Sequence, residues 1–187
     1  MTLVCEGGGA KLEKARQCYT CKARFAVLHH FYAQLCPKCA ALNYSMRHVS
    51  ADLQGRTALL TGARVKIGYR CGLKLLRCGG IVIATSRFPQ DTAQRYAAEH
   101  DFDEWKHRLH VYGLDFRDLA SLERFVCHIK AEYGRLDVLV NNACQTIRRP
   151  PAYYAPQIAI ERGEAPAATV GLLSNFRSFE AEQPRVR

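Results

Sequence analysis

From Arg56 onward the apolar residues fall into short continuous runs, separated by stretches with an apolar position every third or fourth place. That is the pattern of buried parallel strands joined by amphipathic helices. The run Thr-Ala-Leu-Leu-Thr at 57–61 predicts a first strand, 81–85 a second, 109–114 a third and 136–140 a fourth, the last ending at Asn141-Asn142. Between them, the residues after Gly68 read as a helix to about Arg77, stopped by Gly79-Gly80. Pro89 opens a second helix to about Glu99, and Asp118 stands as the N-cap of a third that runs through Tyr133. The order β-α-β-α-β-α-β predicts an α/β chain with about four strands of a doubly wound parallel sheet.

The pattern is absent on both sides of this stretch. Residues 151–187 are mostly Ala, Pro and charged positions with short apolar pieces such as 170–173, which predicts a divergent, poorly ordered tail with room for one short helix. Residues 1–50 are too few to bury much core, and they carry paired cysteines. The expected division is therefore a small segment at 1–50, an α/β half-fold at 51–150 and a tail at 151–187.

The chain has nine cysteines, and no leader-like stretch opens it: Glu6 and Glu13 stand where a secretory or transit sequence wants apolar or Arg/Ser-rich residues. The expected setting is the cytosol, where thiols stay reduced and serve metals or chemistry. Cys18-x2-Cys21 and Cys36-x2-Cys39 are separated by fourteen residues, and two such turns can direct four thiolates at one Zn²⁺. Cys5, Cys71, Cys78, Cys127 and Cys144 have no such partners. A closed four-Cys site has no open position for water, so its expected role is structural. His29 and His30 lie between the knuckles as alternative ligands, with packing the favoured reading. Phe25, Phe31, Tyr32 and Tyr44 are read as a small core around the metal, a base-stacking platform being the lesser reading. Cys36-Pro-Lys-Cys39 also has the form of a redox loop, but the second knuckle argues for metal.

Composition adds limits. Of 187 residues, 48% are hydrophobic and 24% charged, which excludes a disordered or collagen-like chain. No apolar run reaches the roughly 18 residues of a membrane span. The formal net charge is +10, but it is dispersed without a basic block or stripe. A solvated basic surface is the favoured reading, and a zinc-dependent nucleic-acid binder is the lesser one.

The turn Thr61-Gly62-Ala63-Arg64-Val65-Lys66-Ile67-Gly68 joins the first strand to the first helix, with glycines where the backbone must turn and where helix approaches strand, so a pyrophosphate can sit on the helix N-terminus. A P-loop is excluded, since no Gly-Lys-Ser/Thr follows. With this turn, Asp115 after the third strand and Asn141-Asn142-Ala143 after the fourth, the chain resembles the short-chain dehydrogenase/reductase family, and with the four-Cys segment it resembles a subgroup that carries a zinc-ribbon-like N-terminus. The resemblance covers about residues 18–152 and implies a partial Rossmann-type fold. It also implies that Gly62, Gly68 and the Ile67 backbone line a pyrophosphate, that Asp115 meets the adenine edge, and that Asn142 and Ala143 belong to a structural motif. At the end of the second strand Ser86-Arg87 stands where an acid would hold the ribose of NAD, and with Arg64 nearby the expected cofactor is NADP rather than NAD. Lys66 departs from the family's second glycine and could pair with a phosphate. Cys144 departs from the glycine that usually follows Asn-Asn-Ala, and is read as a partly buried thiol.

The family's Tyr-x3-Lys pair, in which the ammonium lowers the pKa of the phenol that protonates substrate, has no counterpart. None of the nine tyrosines has a lysine four residues on, and Lys130 is the last lysine. The expectation is an oxidoreductase of unknown small-molecule substrate, truncated relative to its family, whose fourth strand forms an exposed apolar edge open to homo-oligomerisation. A non-catalytic zinc- and dinucleotide-binding module is the alternative.

Overall fold

A computed structural model describes residues 4–6, 8–144, 147 and 149–181. The chain divides into two compact units, Met1–Ala51 and Asp52–Arg187. The first holds an antiparallel sheet of β1 (Val4–Glu6), β2 (Gly8–Gln17) and β3 (Arg24–Val27), followed by helix α1 (Pro37–Arg47). Pro37 at the first helical position pre-sets the backbone for the turn, since its missing N–H would have had no intrahelical acceptor. The core here is small: Cys18, Phe25, Leu35 and Ala40, with Leu28, Tyr32, Cys36 and Cys39 at its margin. Of the aromatic residues expected in it, Phe25 and Tyr32 are present. Phe31 is instead 51% exposed, its ring covered by the Arg47 guanidinium at 4.5 Å.

The second unit contains β4 (Thr57–Thr61), α2 (Lys66–Arg77), β5 (Ile81–Ser86), α3 (Pro89–Ala97), the single turn α4 (Phe102–Trp105), β6 (Leu109–Gly113), α5 (Leu119–Tyr133) and β7 (Val138–Val140). The four strands are parallel in the order β6-β5-β4-β7. The pleat sorts their side chains onto two faces. Val82, Ala84 and Val111 join one cluster with Leu73 and Leu76 of α2, Ala93 and Tyr96 of α3 and Trp105. Ile83 and Tyr112 join the opposite cluster with Phe125 and Ile129 of α5. This is the doubly wound arrangement expected. Asp118 caps α5 by accepting from the Ser121 amide at 3.1 Å, and Gly134 ends it in a left-handed conformation. β7 pairs with β4 on one side only among the described residues, and Leu139 on it is 55% exposed.

Where a poorly ordered tail was expected at 151–187, residues 151–181 are largely helical, and 182–187 lie outside the described residues. After a short 3-10 turn at Pro151–Tyr154, the chain forms α6 (Ala155–Arg162), α7 (Ala167–Val170) and α8 (Ser174–Ala181). Leu172 and Leu173 enter the α2/α3 cluster and Phe179 enters the α5 cluster. A handful of apolar residues suffices because they dock on an existing hydrophobic surface beside β6 rather than forming a core of their own.

Candidate cofactor-binding site

The carboxyl ends of the parallel strands share one rim of the sheet, and the loop after β4 lies there. Its backbone is fixed from two directions. The amides of Gly62 and Ala63 donate to Thr85 O on β5 at 3.0 and 3.1 Å. From the β7 side, the amides of Asn142 and Ala143 both donate to Thr61 Oγ1 at 2.9 Å, while Asn142 Nδ2 donates to Thr61 O at 3.0 Å and Gly62 O at 3.1 Å. Asn142 and Ala143 therefore act as a clasp for the loop. A Cβ at Gly68 would lie 2.2 Å from Gly62 O, and one at Gly62 would lie 3.0 Å from Ala143 Cα, so both glycines answer to close backbone approach. α2 starts within this stretch, at Lys66, so that Gly68 lies in its first turn; the helix has no side-chain cap and no acidic residue there, which are the conditions that suit an anion at a helix N-terminus. Lys66, at the position where the family carries glycine, adopts φ 54°, and the Ile67 side chain beside it is exposed.

At the end of β5, Ser86 Oγ accepts from the Phe88 amide at 3.1 Å and closes the turn. Arg87 projects its guanidinium to 5.0 Å from the Tyr154 ring centroid. Arg64, expected to assist it, pairs with Asp91 at 2.6 Å. Asp115 accepts from Arg117, which holds its carboxyl below the usual carboxylate range. A cavity of about 470 Å³ opens between these residues and the helices after Pro150, with Arg87, Leu114, Asp115, Glu161, Phe176 and Arg177 among its lining. The sequence reading missed Tyr154, Glu161 and Phe176 here, having set aside their segment as a tail. Cys144 is exposed rather than partly buried, because the chain leaves the sheet directly after the Asn142-Ala143 clasp.

In the first unit the sulfurs of Cys18, Cys21, Cys36 and Cys39 all lie within 4.8 Å of one another, with Cys21 and Cys36 at 3.7 Å. A tetrahedron with metal–sulfur bonds of about 2.3 Å has edges of about 3.8 Å, so the set fits Zn²⁺. Burial pushes the Cys18 thiol up, but hydrogen bonds from the Cys36, Cys21 and Thr20 backbone outweigh it and bring it down to about 6. Hydrogen bonding to Cys36 and Cys21 pushes Cys39 up to about 12. His29 and His30 stack on each other at 4.1 Å and sit outside the cysteine cluster.

A sequence model of the short chain dehydrogenase family matches residues 56–162. The chain belongs to that family. An uncharacterised protein of Acanthamoeba polyphaga mimivirus is 39% identical over 143 residues, covering 73% of this chain and 30% of that protein. The (−)-isopiperitenone reductase of Mentha piperita is 41% identical over 96 residues, covering 50% of this chain and 30% of the reductase. Among solved structures, a metagenomic short-chain oxidoreductase in complex with NADP is 28% identical with a TM-score of 0.45, covering 69% of this chain and 58% of that one. The chain thus spans under a third of the length of these two curated relatives. Among the described residues, no helix is long and apolar enough to cross a membrane.

Proposed function

We propose that this chain provides the dinucleotide-binding half of a short-chain oxidoreductase, with NADP favoured over NAD, joined to a structural zinc segment. The observation that carries the reading is the clasped Thr61–Gly62…Gly68 turn leading into an uncapped α2. Gly62, Ile67 and Gly68 present backbone to the pyrophosphate, and Lys66 adds a cation there. Asp115 meets the adenine edge, and Ser86 and Arg87 form the ribose corner, where a guanidinium suits a 2′-phosphate. Asn142 and Ala143 hold the loop in shape. A bound nicotinamide would supply hydride to an unidentified small-molecule carbonyl or accept it from the corresponding alcohol. These 187 residues contain no Tyr-x3-Lys pair, and the proposal assigns the proton-transfer step to none of them. The reading includes the proposal that a second copy or another chain pairs with the edge of β7 left open among the described residues.

Cys18, Cys21, Cys36 and Cys39 are the proposed Zn²⁺ ligands, with a folding role. The eight cysteines from Cys18 to Cys144 are free thiols, and the setting proposed with them is a reducing, cytoplasmic one. Nucleic acid is not a favoured partner, given the dispersed charge.

The test is titration of the 187-residue protein with NADPH and NADH, followed by nucleotide fluorescence. Saturable binding, abolished in Gly68→Ala by the collision with Gly62 O, is the expected result. Absence of binding to either nucleotide at millimolar concentration would overturn the reading.

A further inference from the structure

The segment after Pro150 occupies the ribose corner of the rim. Glu161 reaches from α6 to the first turn of α3, where its two carboxylate oxygens accept from the amides of Gln90 and Asp91 at 3.0 and 2.9 Å. Gln90 Nε2 returns hydrogen bonds to the carbonyls of Glu161 and Gly163 at 2.9 and 3.3 Å. α3 has no side-chain cap from its own N-cap residue, Phe88, so an acid some seventy positions away in sequence fills that role. Burial raises the Glu161 carboxyl above its ordinary range, with the Gln90 and Asp91 amides opposing.

Seven residues before Glu161, the Tyr154 ring stacks on Phe88 with centroids 5.8 Å apart and planes 26° apart. Arg87 Nη2 donates to the Tyr154 hydroxyl at 3.4 Å while its guanidinium lies 5.6 Å from the Phe88 ring and 5.0 Å from that of Tyr154. The neighbouring cation, Arg64, is paired with Asp91. The groups at the end of β5 that suit a phosphate monoester, a guanidinium and a pair of helix N-terminal amides, are thus both engaged by this chain's own residues.

We propose that residues 151–163 are an internal competitor for the 2′-phosphate of NADP, with Glu161 standing in for the phosphate on the Gln90 and Asp91 amides and Tyr154 holding Arg87. This inference rests on the dinucleotide reading above. The phosphorylated ribose then binds fully only when the segment lifts, and the cost of lifting is subtracted from NADP affinity. NAD carries no 2′-phosphate and makes no demand on these groups, so the segment narrows the difference between the two cofactors.

The experiment measures dissociation constants for NADPH, NADH, 2′,5′-ADP and 5′-AMP on the full chain and on Glu161→Gln and Tyr154→Ala. Thermal unfolding confirms that each variant is folded. Glu161→Gln keeps the shape and removes the charge, and is expected to tighten NADPH and 2′,5′-ADP about tenfold, the ratio corresponding to one charged hydrogen bond. Tyr154→Ala shifts the same two ligands in the same direction. NADH and 5′-AMP stay within about twofold, being indifferent to the corner. Unchanged or weaker NADPH binding in both variants, with NADH still bound, overturns the competitor and leaves the dinucleotide site intact. Equal tightening of NADPH and NADH also overturns it, since that pattern means general unblocking of the rim. Failure of every protein to bind any of the four ligands removes the site itself, and the competitor with it.

Discussion

Lys66 is a lysine holding φ 54° in the loop on which the proposed phosphate site depends. A left-handed backbone costs a residue with a Cβ about 1–2 kcal/mol, a cost glycine does not carry. Lys66→Gly is therefore expected to raise stability by about 1 kcal/mol, visible as a higher unfolding midpoint, while NADPH binding weakens because the ammonium is lost. A rise in both stability and affinity would mean that Lys66 contributes nothing to the phosphate. The glycines at 62 and 68 were legible as glycines a phosphate loop needs, and the structure adds the reason for each in the atoms a Cβ would meet. The partner of Arg87 was not legible. Tyr154 lies 67 positions away, and no local pattern links a guanidinium to a ring at that separation.

At the scale of elements, local signals were sufficient wherever the element carries its own boundary. β4 lies where its apolar run lies, and α5 begins at its Asp118 cap and ends at Gly134. α8 has no such signal, and its place comes from what it packs on. Asn175 Nδ2 reaches His110 Nδ1 of β6 at 2.8 Å and Tyr133 Oη of α5 at 3.1 Å, and Tyr133 Oη lies 2.6 Å from the same ring nitrogen. Burial holds His110 below its ordinary pKa, with Glu132 and the His107 backbone opposing. The folded state thus favours the neutral ring. As pH falls through about 6.5 the unfolded chain takes up this proton first, so stability contributed by the neutral ring is lost progressively until the folded pKa is reached. Unfolding measured at pH 7.5 and 5.5 is expected to show lower stability at the acid value. In His110→Asn, which retains an acceptor but does not titrate, that difference shrinks.

The whole molecule contains two units of unequal means. The second has two clusters of buried side chains on the two faces of its sheet, whereas the first has, among the described residues, one cluster of four, one of them the cysteine Cys18. A segment of that size needs a crosslink or metal to stay folded. Chelation of metal at pH 7 is expected to make residues 4–51 susceptible to protease while the fragment from about residue 52 onward persists with its unfolding transition unchanged. Mass analysis of the digest checks it, and equal loss of both units would sink the idea that the proposed zinc segment folds on its own. The clustering of the four cysteines was legible from spacing alone because one local motif, Cys-x2-Cys, occurs twice. The antiparallel strands β1 to β3 were not, since the hydrogen bonds that define them carry little apolar alternation.

Thr61 and the Asn142-Ala143 amides that fasten to it are more than eighty residues apart in the chain. On the ribosome β4, β5 and β6 can emerge and pair while the loop between β4 and α2 still has only its Thr85 contacts, because the other half of its support has yet to emerge. The nascent protein can therefore pass through a period in which the sheet exists and the cradle proposed for phosphate does not. Cofactor can assist folding only at the end of that period, as a reward for completing β7 rather than a template for starting the sheet.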